Sequence, residues 1–358
     1  TIIAADTRIN ARWLIPIEPA DQIWHHHAVI MQGGRILAVL PQAEADTQYR
    51  TRETLNLPDH VLMPGLINLH GHAAMSLLRG VADDLPLMTW LNDYIWPLEG
   101  EFVCEHFIAD GTQLAMAEML RTGTTTFSDM YFFPEIAAQC AADVGMRAQI
   151  CFPLLDFPTC WGSGPEEYLR KGEQLINAWQ GDEFIMPAIG PHAPYTANDD
   201  TLAGAVALQK KTGVKLQIHL HETALEVQDA EQNLGQRPVS RMAQLGVLGP
   251  DTQCVHMTQV SESDLGHLVH SGAHVVHCPE SNMKLASGQC PVQRLSKAGV
   301  NVAIGTDGAA SNNDLDLFGE LRTAAMMAKH LTGDPAALSA HQALRMATLQ
   351  GAKALGRE

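Results

Sequence analysis

The sequence predicts an α/β protein: a (β/α)8 TIM-type barrel preceded by a small β-rich module. Three observations lead there. The 358 residues are enough for one large domain and a smaller one, on a norm of roughly 150 residues per domain that barrels often exceed. From residue 61 onward, short apolar runs alternate with helix-patterned segments, as βα units around a parallel sheet require. Seven of the eight runs carry a His or Asp near their C-terminal end, and in such barrels that rim is where active sites are built.

Taken in order, residues 1–60 hold the β-like runs "ARWLIPI", "HAVIMQGGRILAVL" and "ETLNLP", with a tight hairpin expected at Gly33-Gly34. The triplet His25-His26-His27 reads as a solvated strand start rather than a metal site. Residues 61–358 then supply "VLMPGLINLH", "TTTFSDM", "RAQICFP", "FIMPAIGPH", "VKLQIHLHE", "TQCVHMT", "AHVVHCP" and "NVAIGTDG" as barrel strands. Segments between them, such as "EHFIADGTQLAMAEMLRTG" and "DTLAGAVALQKKTG", show helical apolar spacing and end in Gly, as helix C-caps do. The residues at the strand ends are His70, Asp129, His192, His219, His256, His277 and Asp307.

Composition narrows the ligand class. With 46% hydrophobic and 18% charged residues and no run of about 18 apolar residues, no membrane span is expected. The 23 Lys+Arg against 40 Asp+Glu give a formal charge of −17, which disfavours nucleic acid and suits a neutral or cationic small molecule. Seven cysteines without a C-x-x-C pair read as reduced thiols, and with no signal peptide the expected location is cytoplasmic.

The chemistry starts at "MPGLINLHGH", Met63 to His72. Residues i and i+2 of a strand share a face, so His70 and His72 both reach a common ion. A further imidazole from "HLHET" and the carboxylate of Asp307 complete a set that suits Zn²⁺ or Fe²⁺ with a position open for water. His219 and His221 have the same strand parity, and spacing leaves both open. Other hydrolase signatures are absent. Leu225 stands where H-E-x-x-H needs its second His, and there is no P-C-x-x-C deaminase signature, G-x-S-x-G elbow or phosphate loop.

"PGLINLHGH", "GPHAPY", "HLHET", "VHMTQV", "HCPESNMKLASG" and "GTDGAASNNDLDLFGE" together resemble the amidohydrolase superfamily, and within it the 5'-methylthioadenosine/S-adenosylhomocysteine deaminases. The resemblance spans nearly the whole chain. It implies a metal held by His70, His72, His219 and Asp307, with Glu222 and His256 beside the attacking water. It also implies Glu99, in "IWPLEG", on the ribose hydroxyls and His192 on a purine ring nitrogen. Asp129 and His277 are read as structural. Binuclear members bridge two metals with a carboxylated Lys at the end of strand four, where this chain has "AIGPHAPY", so one divalent metal per chain is expected, Zn foremost and Fe the alternative.

The implied reaction is hydrolytic deamination of an adenosine-type nucleoside to the 6-oxo purine nucleoside and ammonia. Glu222 and Asp307 both contact substrate and move protons, and His256 orients the water. The alternatives are a hydrolase or deaminase of another heterocycle, such as an s-triazine, guanine or cytosine, and a non-catalytic scaffold of the same fold. A homo-oligomer is expected. The stretch Ala148 to Leu169 contains no Lys or Arg and offers Phe152, Leu154, Leu155, Phe157 and Trp161 to a thiomethyl group, with Asp156 repelling a carboxylate. 5'-Methylthioadenosine is therefore expected to be preferred over S-adenosylhomocysteine and adenosine, with Arg79 the nearest alternative cation. Related sequences continue past the position of Glu358 with strands that return to the N-terminal module and make it a β-sandwich, so the native protein is expected to extend further.

Overall fold

The computed structural model describes residues 2–358 and divides into two compact units, one ending at Gly65 and one running from Leu66 to Glu358. The first is a four-stranded sheet of β1 (Ile3–Leu14), β2 (Trp24–Gln32), β3 (Arg35–Pro41) and β4 (Tyr49–Leu62) in the order β3-β2-β1-β4. β1 runs antiparallel to β2 and parallel to β4. Gly33 and Gly34 turn β2 into β3 with φ of 57° and 74°, a pair of left-handed residues that only glycine adopts without strain. The helix Gln42–Gln48, between β3 and β4, packs fully buried Ala45 against Ala5, Ala28 and Ile30. At the start of β2, His25 and His26 are exposed.

One boundary differs from the sequence reading. Val61 and Leu62 pair with Trp13 and Leu14 of β1, so the start of the run "VLMPGLINLH" belongs to the module's sheet. The first barrel strand is only Leu66–Asn68.

The second unit is an eight-stranded parallel sheet of β5 (Leu66–Asn68), β6 (Thr124–Met130), β7 (Arg147–Leu154), β8 (Ile185–Pro191), β9 (Lys215–Leu220), β10 (Thr252–His256), β11 (His274–His277) and β12 (Val302–Ile304), in chain order. Each expected run carries one of these strands. Beyond Arg147 every residue of β7 is buried, the pattern of a strand covered on both faces. Leu69 N–H donates to Ile304 O at 3.0 Å and Asp307 N–H to His70 O at 3.0 Å, which draws the first and last strands together. Gly305 permits that approach, since a Cβ there would lie 2.7 Å from the His70 nitrogen.

Helix punctuation follows the sequence signals. Asn198 caps the helix Asp199–Thr212, which Gly213 ends at φ 73°. Ser261 and Asp264 form a reciprocal capping box on Glu262–Ser271. An element that periodicity did not announce is the excursion after β5, built of short pieces at Ala73–Leu78, Leu87–Trp90, Leu91–Ile95 and Trp96–Phe102, the third a π-turn. Among the described residues no helix is long and apolar enough to cross a membrane.

Candidate active site

Three histidines at the rim have their Nδ1–H groups already engaged. His70 Nδ1 lies 2.7 Å from Gln217 Oε1, His72 Nδ1 2.6 Å from Met130 O, and His219 Nδ1 2.6 Å from His192 O. Each acceptor takes the ring's proton, so each Nε2 presents a lone pair. His70 Nε2 is buried without a hydrogen-bond partner. Asp307 Oδ1 stands 3.4 Å from His70 Nε2 and 3.2 Å from His72 Nε2. Ligand atoms of His70, His72 and His219 lie within 4.8 Å of one another, as do those of His70, His256 and Asp307. Converging lone pairs beside a carboxylate form a donor set suited to a divalent cation, and the orphaned His70 nitrogen fits that use.

The electrostatics agree. Burial opposes charge on Asp307, yet the adjacent His70 and His72 rings hold its carboxyl well below the usual range. Burial also opposes charge on His72, but Asp307 lifts it to about 9, so a proton occupies the space between them that a cation would take over on binding. Burial lowers His70 and His219, which favours their neutral, ligating form.

The geometry separates His219 from His221. Both nitrogens of His221 are committed, Nδ1 to Gln259 O at 2.7 Å and Nε2 as acceptor of the Val239 N–H at 3.1 Å. Only His219 belongs to the donor group. His221, His256, Met257 and Asp307 take φ of 52°, 79°, 49° and 64°. Such left-handed conformations in bulky residues persist only where surrounding contacts enforce them, and they cluster at functional sites.

Glu222 follows that first turn and lines the cavity above the donor set, together with His72, His219, His256 and Asp307. Its Oε2 is 3.6 Å from His256 Nε2. Burial first, and the Asp307 charge second, push its carboxyl up to about 8. Glu226 anchors the turn by accepting from the His221 and Glu222 amides at 2.9 and 2.8 Å. His256 donates through Nδ1 to Asn282 Oδ1 at 2.9 Å, which leaves its Nε2 as an acceptor. Ser281 Oγ donates to Asp307 Oδ2 at 2.7 Å.

Glu99 and His192 line the same cavity. Glu99 accepts from Tyr131 Oη at 2.7 Å, and burial pushes its carboxyl up to about 7. His192 is held down to about 3 by burial. Its Nδ1 lies 2.9 Å from Thr196 Oγ1, closer than that hydroxyl's 3.2 Å alternative at Ala193 O. A hydroxyl donating to Nδ1 leaves Nε2–H as a donor for a ligand nitrogen. Asp129, expected to be structural, accepts from the Ala73 amide at 2.7 Å, and His277 is buried outside the cavity lining.

The apolar wall differs from the expected one. Leu155 and Phe157 line the cavity, but Phe152, Leu154 and Trp161 do not. Phe152 packs over Gly172, and Trp161 stacks on Tyr168 with ring centroids 5.7 Å apart. Asp156 is occupied as a cap, accepting from Asn198 N–H at 2.7 Å and Thr201 Oγ1 at 2.6 Å. The missing wall comes from the excursion after β5: Trp90, Leu91, Ile95 and Trp96. Among the described residues no Lys or Arg lines the cavity, and Arg79 is engaged by Glu118 and by Asn313 O.

Sequence reasoning missed the supporting residues. Ser281 and Asn282 sit inside the quoted "HCPESNMKLASG" and could have been found there. Gln217 precedes His219 by two on the same strand face, so parity pointed to it. Tyr131 carried no periodic signal.

Residues 61–358 match the model of the amidohydrolase family. The chain belongs to that family. This amidohydrolase is 54% identical to a 5-methylthioadenosine/S-adenosylhomocysteine deaminase of Saccharophagus degradans over 98% of the chain and 79% of that protein. It is 40% identical to a 5'-deoxyadenosine deaminase of Methanosarcina mazei over 99% of the chain and 81% of that protein. The crystal structure of an adenosine deaminase from Xanthomonas campestris with bound zinc superposes with a TM-score of 0.98 at 47% identity, covering 100% of this chain and 81% of that one.

Proposed function

We propose that this amidohydrolase hydrolytically deaminates adenosine-type nucleosides, 5'-methylthioadenosine foremost, at a single divalent metal, Zn²⁺ in our reading. The observation that carries the proposal is one cavity lined by His72, His219, the ionised Asp307 and a proton-bearing Glu222, with the buried His70 within ligand distance of His72 and His219. His70, His72, His219 and Asp307 would hold the cation. When bound, it lowers the pKa of water to about 7 and so makes hydroxide available at neutral pH.

The chain's own residues supply the proton traffic. Glu222, protonated at neutral pH, donates to N1 of the purine as hydroxide adds to C6. Asp307 accepts the proton that water loses and passes it to the departing amine. His256 orients the water through Nε2, its tautomer set by Asn282. The hydroxyl proton of the adduct returns to Glu222, ammonia leaves, and the 6-oxo purine remains. His192 donates to a ring nitrogen, and Glu99 accepts from the ribose hydroxyls.

The 5' end sets the substrate preference. Trp90, Trp96, Leu155 and Phe157 suit a thiomethyl or methyl group, and no cation in the cavity lining pairs with an amino-acid carboxylate. The names of the two relatives, which cover 5'-methylthioadenosine, S-adenosylhomocysteine and 5'-deoxyadenosine, support 5'-modified adenosines as the substrate class, and the preference within it rests on the apolar wall. The unit from Leu66 onward is the catalytic domain, the N-terminal sheet is part of a β-sandwich module, and the protein acts in the cytoplasm as a homo-oligomer. The test is a spectrophotometric assay on adenine nucleosides with released ammonia measured. Ammonia formed in a 1:1 ratio with 6-oxo nucleoside supports the proposal; a metal-loaded protein that converts no adenine nucleoside contradicts it.

A further inference from the structure

We propose that Tyr131 is the positioning residue that makes this site selective for nucleosides with an intact ribose diol. The inference rests on the reading of Glu99 as the ribose anchor and explains what holds that anchor in place.

Glu99 lies on the short helix Trp96–Phe102, inside the excursion after β5 that contributes no strand to the barrel. A carboxylate on such a segment needs a fixed partner if it is to meet two hydroxyls in one geometry. Tyr131 provides it from the rigid rim, immediately after β6, through the 2.7 Å hydrogen bond from Oη to Glu99 Oε1. Committing Oε1 orients the carboxylate plane and leaves Oε2 for substrate.

The same rim position touches the metal end. Met130, the preceding residue, accepts from His72 through its carbonyl, and the Tyr131 ring lies 6.2 Å from the His72 ring. Two successive residues therefore set the separation between a metal ligand and the ribose anchor. Burial keeps the Tyr131 phenol protonated far above neutral pH, so its role is always that of a donor. Its hydrogen bond favours the ionised form of Glu99, whose carboxyl would rise further without it.

The experiment compares 5'-methylthioadenosine with its 2',3'-dideoxy analogue on the metal-loaded enzyme, using wild type, Tyr131→Phe and Glu99→Gln. For Tyr131→Phe the expected result is a KM for the diol substrate raised roughly 10-fold with kcat little changed, from loss of one hydrogen bond to a charged group. KM for the dideoxy analogue stays put, and the pH at which KM for the diol substrate improves moves upward. An equal loss for both substrates, or no loss for either, overturns the inference. Should Glu99→Gln erase the diol preference while Tyr131→Phe keeps it, the positioning role falls and the ribose anchor stands. Should Glu99→Gln leave the preference intact, the anchor reading fails and takes this inference with it.

Discussion

The metal end of the cavity and its 5' end differ in how their residues are held. His70, His72, His219 and Asp307 sit on or just beyond barrel strands, each locked by a hydrogen bond to a neighbouring strand, loop or short helix. The 5' wall is made by Trp90, Leu91, Ile95 and Trp96 from the excursion after β5 and by Leu155 and Phe157 from the segment after β7. Where the ring centroids of Trp96 and Phe157 are 6.0 Å apart, those two segments meet. The difference teaches that chemistry is placed on rigid strand ends and substrate choice on the irregular connections between them.

The sharpest way to break the comparison is at the rigid end. His219→Ala is expected to abolish metal retention and activity, whereas His221→Ala, which removes a hydrogen-bonded staple, keeps the metal and lowers thermal stability. Metal analysis and a melting curve on the two variants read this directly, and loss of metal from His221→Ala alone would reverse the assignment. Next in size, Glu222→Gln should retain the metal and lose roughly 10²–10⁴ in kcat, because a carboxamide does not donate the proton. Near-normal turnover would remove Glu222 from the mechanism.

At the 5' end the effects are smaller. An unpaired carboxylate buried against the apolar wall costs at least about 1–3 kcal/mol, so kcat/KM for 5'-methylthioadenosine should exceed that for S-adenosylhomocysteine by roughly 10–10²-fold or more. Equal efficiency would mean that a cation reaches the site from elsewhere. The smallest expected effect is a pH dependence of binding. Burial raises the Glu99 carboxyl to about 7, so it is protonated below that value and ionised above it. KM for a diol substrate should therefore fall as pH rises through about 7, and a flat KM profile would detach Glu99 from the ribose.

The same division explains what could be read from the sequence. The strand-end residues were legible because a period of two and eight repeated βα units dictate both position and direction. His219 and His221 share parity, so spacing left both open; the family resemblance pointed to His219, and the ring contacts of His221 with Gln259 and Val239 give the physical reason. Phe152, Leu154 and Trp161 misled because apolarity does not state direction. All three are apolar side chains of the right region, and all three turn into packing. Trp90 and Trp96 lie in a run of short helical pieces without a sustained period, so nothing in the pattern aimed them at the cavity. Glu99 and Tyr131 meet only through folding, being 32 residues apart on different elements.

The central claim is one metal serving one deamination site, and titration of metal-free protein with Zn²⁺ while 5'-methylthioadenosine turnover is followed tests it most directly. Activity is predicted to be absent without metal, to rise linearly and to level off at one equivalent per chain. Full activity in the metal-free protein, or a break at two equivalents, would contradict it.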